Sequence, residues 1–203
     1  FCQIFKIVKG LFLPGMVSKN ELPWIEAGYE LFAAQGPDGL RVETLARKVG
    51  ISKSSFYHHF ADIDVFTERL LEWHLDRAVE IAGRARDCRT FDPDFLHLLA
   101  EYPGDLLFNR QLRVHRENLS YQLCFTRANA FVEDAILACW SAELGLAGKP
   151  ELARSLFAVN NDMFYQRVTR ENLHYAWMKQ LLGEIKAILT DMIRGSGMGN
   201  ELI

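Results

Sequence analysis

Apolar residues in this chain recur at steps of three and four almost from end to end, and the strict alternation of a half-buried strand is nearly absent. That periodicity allows helices and little else. In ELPWIEAGYELFAAQ, residues 21–35, Trp24, Gly28, Leu31 and Gln35 fall on one line with Ile25 and Phe32 beside it. This is an amphipathic helix, stopped by GPDG at 36–39. Short helices are predicted over 42–49, with Leu45, Ala46 and Val49 inward, and over 53–60, with Ser52 placed to cap the second. Asp62 can cap a long helix running to about Arg86, with Phe66, Leu70 and Trp73 on one face. Pro and Gly in FDPDF, EYPGD, GLAGKP and TREN then punctuate helices near 93–101, 104–116, 118–144, 150–168 and 171–194. The expected fold class is all-α, with eight or nine helices.

Composition removes several classes. Of the 203 residues 49% are hydrophobic and 24% charged, with a net charge of −3, which is neither a disordered chain nor a membrane protein. No apolar run is long enough to span a bilayer, so no membrane partner is expected. The acidic balance argues against indiscriminate nucleic-acid binding but leaves room for a local binding face. Cys2, Cys88, Cys124 and Cys139 form no CxxC pair and no finger spacing with His, so reduced, inert thiols and a cytoplasmic location are expected. The first stretch, FCQIFKIVKGLFLPG, is apolar but broken by Lys6, Lys9 and Gly10 and has no A-x-A site. It reads as an extension ahead of Met16 rather than as a signal peptide.

Catalytic and metal chemistry find little support. His58 and His59 point about 100° apart on a helix, so one metal does not readily take both. Glu171-x-x-His174 copies half of a di-metal carboxylate motif, and its near-partner, Asp94-x-x-His97, has the wrong acid. No G-x-S-x-G elbow and no phosphate-binding glycine loop occurs. No catalytic residue, metal or cofactor is expected.

The stretch ISKSSFYHHF, residues 51–60, points elsewhere. Two short helices joined at Gly50-Ile51-Ser52 read as a helix-turn-helix. Ser54 and Ser55 are short enough for the second helix to approach DNA closely, and Lys53 adds positive charge where phosphates pass. Tyr57 and His58 can reach phosphate oxygens from the flank, while Phe56 and Phe60, four apart, turn inward.

LARKVGISKSSFYHHFAD resembles the DNA-binding domain of the tetracycline-repressor-like (TetR) family of bacterial transcription regulators. The matching residues are Leu45-Ala46, Gly50, Ile51-Ser52, Ser54-Ser55 and Phe56-Tyr57-x-His59-Phe60. The resemblance covers roughly residues 20–75. It implies a cytoplasmic, non-enzymatic repressor that binds palindromic double-stranded operator DNA as a homodimer and is released by a small, largely apolar effector. The implied DNA-contacting positions are Thr44, Lys53, Ser54, Ser55, Tyr57, His58 and His59. Two departures stand out: Ile63 occupies a position where the family has a phosphate-contacting lysine, and Leu40-Arg41 replaces a capping Ser or Thr, with Arg41 as a substitute phosphate contact. Across 18–64, Lys19, Arg41, Arg47, Lys48 and Lys53 face Glu21, Glu26, Glu30, Asp38, Glu43, Asp62 and Asp64, so the segment is not basic.

The resemblance implies an N-terminal three-helix domain and a larger C-terminal helical domain, arranged as an extension (1–17), a helix-turn-helix DNA-binding domain (18–64), a connecting helix (65–88), an effector-binding and dimerisation domain (89–196) and a flexible tail (197–203). An effector pocket needs apolar walls and a few polar groups. Candidates are Phe108, Asn109, His115, Tyr121, Gln122, Phe125, Asn161 and Tyr165. For the dimer interface, Met178, Leu181, Ile185, Ile188 and Met192 form one apolar stripe, with Leu182, Leu189 and Ile193 on a neighbouring face. Phe157 and Phe164 join them from the preceding helix. The competing reading is an all-α enzyme or metal-binding protein with a vestigial DNA-binding domain.

Overall fold

The computed structural model describes residues 17–146 and 148–195, with side chains as far as Ile188. The expected N-terminal extension up to Met16, the tail from 197, and the side chains of Leu189, Met192 and Ile193 lie outside the described residues.

Among the described residues there are nine α-helices and no strand. They are α1 (Leu22–Gln35), α2 (Val42–Val49), α3 (Lys53–His59), α4 (Ile63–Ala85), α5 (Leu96–Ala100), α6 (Pro103–Val114), α7 (Leu119–Glu143), α8 (Pro150–Arg167) and α9 (Tyr175–Gly195). A 3-10 turn, Gly36–Gly39, follows α1, and a π turn, Phe91–Phe95, precedes α5. No helix among the described residues is long and apolar enough to cross a membrane.

The chain forms two compact units. The first holds the described residues up to Ile81 together with Gly104–Phe131. Its entry is a capping box: Ser18 N–H donates to Glu21 Oε2 at 2.9 Å, and Glu21 N–H donates to Ser18 Oγ at 3.3 Å. Trp24, Ile25 and Phe32 of α1 are fully buried with Leu45, Phe56, Phe60, Phe66 and Leu70. The rings of Phe56, Phe60 and Phe66 meet with centroids 4.9–5.4 Å apart, and Trp24 lies edge-on to Phe56. Gly28 permits this packing, because a Cβ there would fall 2.4 Å from Cζ of Phe66. Asp62 caps α4 as expected, its Oδ1 accepting from Asp64 N–H and Val65 N–H, both at 2.9 Å.

The same unit encloses a polar network. Tyr29 of α1 donates its hydroxyl proton to Asp105 Oδ1 at 2.8 Å and lies 2.6 Å from His74 Nδ1. Arg77 grips Asp105 with two bonds, from Nε at 2.5 Å and from Nη2 at 2.7 Å. Phe108 stacks on both Tyr29 and His74, at 4.4 and 4.5 Å. On its other side His74 Nε2 lies 3.0 Å from Asn109 Oδ1. Burial, only partly offset by Asn109, pushes the His74 pKa down to about 4, so the ring is neutral at pH 7. Burial also raises the Tyr29 hydroxyl well above its ordinary value, with Asp105 adding to the effect.

The second unit comprises Ala82–Pro103 and the described residues from Val132 onward. Fully buried Trp140 is its centre: it packs against Phe91 and Phe157, and its indole N–H donates to the Ala153 carbonyl at 2.9 Å. Tyr175 ties α9 to the π turn by donating to Asp92 Oδ1 at 2.7 Å while stacking on His97 of α5. Arg167–Glu184 at 2.6 Å joins α8 to α9, and Lys186–Glu143 joins α9 to α7.

Candidate nucleic-acid interface

Leu45 and Ala46 anchor α2 on the first core, and Phe56 and Phe60 anchor α3. Between the helices Gly50 adopts φ +76°, the left-handed conformation that favours glycine. Its N–H and that of Ile51 both donate to the Ala46 carbonyl, at 2.9 and 3.1 Å, which closes α2 and turns the chain sharply. Ser52 does not cap α3 with its side chain as expected. Its backbone carbonyl accepts from Ser55 N–H at 3.0 Å, and its hydroxyl pairs instead with Ser54 Oγ at 3.0 Å.

With Phe56 and Phe60 turned inward, the other face of α3 is open. Lys53, Ser54, Tyr57 and His58 are exposed, and Ser55 and His59 are half-buried. Tyr57 stands edge-on to Phe56, its ring braced but 57% exposed. Arg41 is exposed at the N-cap of α2 and makes no capping bond, while Thr44 is half-buried in the first turn of α2. Ile63 packs partly against the core at the start of α4.

Two lysines of this domain are held by acids. Lys48 Nζ lies 2.7 Å from Glu30, and Lys53 Nζ lies 2.9 Å from Glu43 Oε1. The Lys53–Glu43 hydrogen bond lowers the carboxyl's pKa and raises the ammonium's. The Glu43 contact was missed from sequence. A spacing of ten residues reveals no pairing until the turn folds α3 back towards α2.

Among the described residues no group of three His, Cys, Asp or Glu side chains is placed to hold a metal ion. The two half-motifs serve helix ends. Asp94 Oδ2 accepts from Arg89 N–H and Thr90 N–H, and His174 Nδ1 accepts from Trp177 N–H in the first turn of α9.

The effector candidates divide between the units. In the first, Phe108 is fully buried between Tyr29, Phe32 and His74. Asn109 faces His74, Tyr121 is buried edge-on to Phe32, His115 lies beside Gly36, Phe125 packs partly on the core, and Gln122 is exposed. In the second, Tyr165 is buried against Phe164 and Asn161 is half-buried. Of the interface candidates, Phe157, Phe164, Met178, Leu181 and Ile185 are buried within the single chain, with Leu182 beside them, whereas Ile188 is exposed.

Residues 25–70 match the family model of bacterial regulatory proteins of the tetR family. No curated protein matches the chain significantly. A solved structure from Mesorhizobium loti MAFF303099, named as a TetR-family transcriptional regulator, is similar in fold, with a TM-score of 0.53 at 16% identity over 86% of this chain and 98% of that one. Another so named, from Rhodococcus sp., gives 0.51 at 22% identity over 83% and 97%. The match to the tetR-family model thus covers the helix-turn-helix segment, and over most of its length the chain shares the helical fold of these two solved structures.

Proposed function

We propose that the chain is a cytoplasmic, non-enzymatic repressor that binds a near-palindromic operator as a homodimer and is released by a small, largely apolar effector. The observation that carries this reading is the open face of α3, where Lys53, Ser54, Tyr57 and His58 are presented on a helix fixed from behind by Phe56 and Phe60. Arg41, Thr44, Ser55 and His59 complete the contact set. Each subunit puts α3 into one major groove, and the two-fold axis of the dimer sets the half-site spacing. The effector acts by binding unequally to two arrangements of the dimer.

The dimer face is on α8 and α9. Met178, Leu181 and Ile185 are already used inside the chain, so the surface left is Leu152 and Val159 on α8 and Ile188 on α9. On α9 itself Ala176, Gln180, Gly183 and Ala187 align along the exposed side. A Cβ on Gly183 would meet nothing within 4 Å, so a second helix can approach closely there.

Selection of bound sequences from random double-stranded DNA tests the reading. An enriched inverted repeat, with half-sites about one helical turn apart or a multiple of it, is expected. A pool that enriches nothing overturns it.

A further inference from the structure

The Glu43–Lys53 pair links the two helices of the helix-turn-helix, and the inference drawn from it rests on the DNA-binding reading above and adds specificity to it. The two side chains come from the first turn of α2 and the first residue of α3, and are 68% and 55% exposed. A carboxylate on a DNA-facing surface is repelled by phosphates unless a base donates a hydrogen bond to it. On the major-groove edge the only base donors are the amino groups of cytosine N4 and adenine N6. Adenine N6 is flanked by two acceptors, N7 of the same base and O4 of the paired thymine, and a carboxylate placed there faces both. Cytosine N4 has a single acceptor beside it, guanine O6, and an ammonium can occupy that one.

The spacing agrees. Guanine O6 and cytosine N4 are joined by a Watson–Crick N–H···O bond, so they lie about 2.9 Å apart. Lys53 Nζ and Glu43 Oε1 are 2.9 Å apart. Donor then stands opposite acceptor on both sides, at matching separation. We propose that Glu43 and Lys53 together read one G·C base pair in each half-site, Lys53 donating to guanine O6 and Glu43 accepting from cytosine N4. The ammonium stays paired with its carboxylate throughout, so the contact specifies sequence and adds little counterion release.

The test starts from the sequence enriched by the full chain. Each symmetric position is changed between G·C and A·T, and relative affinities are measured for the wild type and for Glu43→Gln. The wild type should prefer G·C at one symmetric position by roughly five- to hundredfold. Glu43→Gln should reduce that preference to about threefold or less and drift towards A·T, since an amide can pair with adenine N6 and N7. Preferences elsewhere should stay unchanged. Uniform tightening of every sequence by Glu43→Gln would show a carboxylate that only repels phosphate and would overturn the inference. Unaltered preferences at every position would also overturn it, with DNA binding itself intact. Failure of the wild type to enrich any sequence would remove the DNA-binding reading, and this inference with it.

Discussion

At the scale of single residues, His74 gives the sharpest expectation. Its folded pKa of about 4 lies below the ordinary 6.5, so between these values the unfolded chain binds the extra proton. The stability linked to neutral His74 is therefore complete above pH 6.5 and is lost as pH falls towards 4. Urea denaturation should show a loss of about 2 kcal/mol between pH 7 and pH 5 from this group. His74→Phe keeps a ring against Phe108 and removes the titration. It should cost about 1 kcal/mol at pH 7 through the lost bonds and lose much less than wild type on going to pH 5. Equal losses in both proteins would show that His74 is not the titrating group. A second expectation concerns Ile63, where the family places a lysine. Ile63→Lys should tighten operator binding and steepen the log–log salt dependence by roughly one unit. An unchanged slope would mean that the start of α4 does not approach the backbone. Sequence pattern made Phe56, Phe60, Gly50 and Asp62 legible, because each answers to a local rule of spacing, turn or cap. It did not reveal His74. That residue follows Leu70 by one turn on a buried face, but a neutral ring there needs Tyr29, Asp105 and Asn109 from two other helices.

At the scale of elements, the helix limits were largely legible because Pro, Gly and capping residues mark them locally. The last helix is the exception. TREN reads as a start signal near 171, but Asn172 instead ties a turn, accepting from Thr169 N–H at 2.7 Å and donating to the Arg167 carbonyl at 2.9 Å. The helix begins at Tyr175. Pairings between elements were not legible, and the Arg77–Asp105 clasp shows why. Asp105 in the first turn of α6 reads as a favourable helix-end charge, yet its side chain is 5% exposed and is gripped by Arg77 of α4 and Tyr29 of α1. Removing one member leaves a buried charge without its counterion. Arg77→Met should therefore destabilise the protein by about 3–5 kcal/mol, measured by denaturant unfolding at pH 7. Adding Asp105→Leu should recover most of that loss, because a buried pair replaced by apolar side chains is often neutral in net effect. A double variant no more stable than Arg77→Met would show that Asp105 is held chiefly by its other partner, Tyr29.

At the scale of the molecule, the proposed dimer and the proposed operator binding are linked, because one reading head alone would have half the contacts of two half-sites. The apolar stripe of α9 was visible in the sequence, but periodicity cannot say whether such a stripe faces its own chain or a second copy. Here Ile185 is 3% exposed within the single chain, so Ile185→Glu should unfold the protein rather than split a dimer. The proposed interface is better probed where the chain leaves apolar and small residues uncovered. Val159 is 52% exposed, and Gly183 has open space where a side chain would grow. Val159→Glu and Gly183→Arg should each leave the helical content and the fold of the monomer intact. Gly183→Arg should even favour α9 slightly, since glycine inside a helix costs roughly 1 kcal/mol against other residues. In the assembly both changes place a charge against its own copy or a near neighbour across the two-fold axis, as symmetry requires. Sedimentation should therefore show monomers for both variants and a dimer for the wild type, and affinity for the two-half-site operator should fall steeply while a single half-site is bound as weakly as before. Folded Val159→Glu and Gly183→Arg proteins that still sediment as dimers would move the interface off this face of α8 and α9.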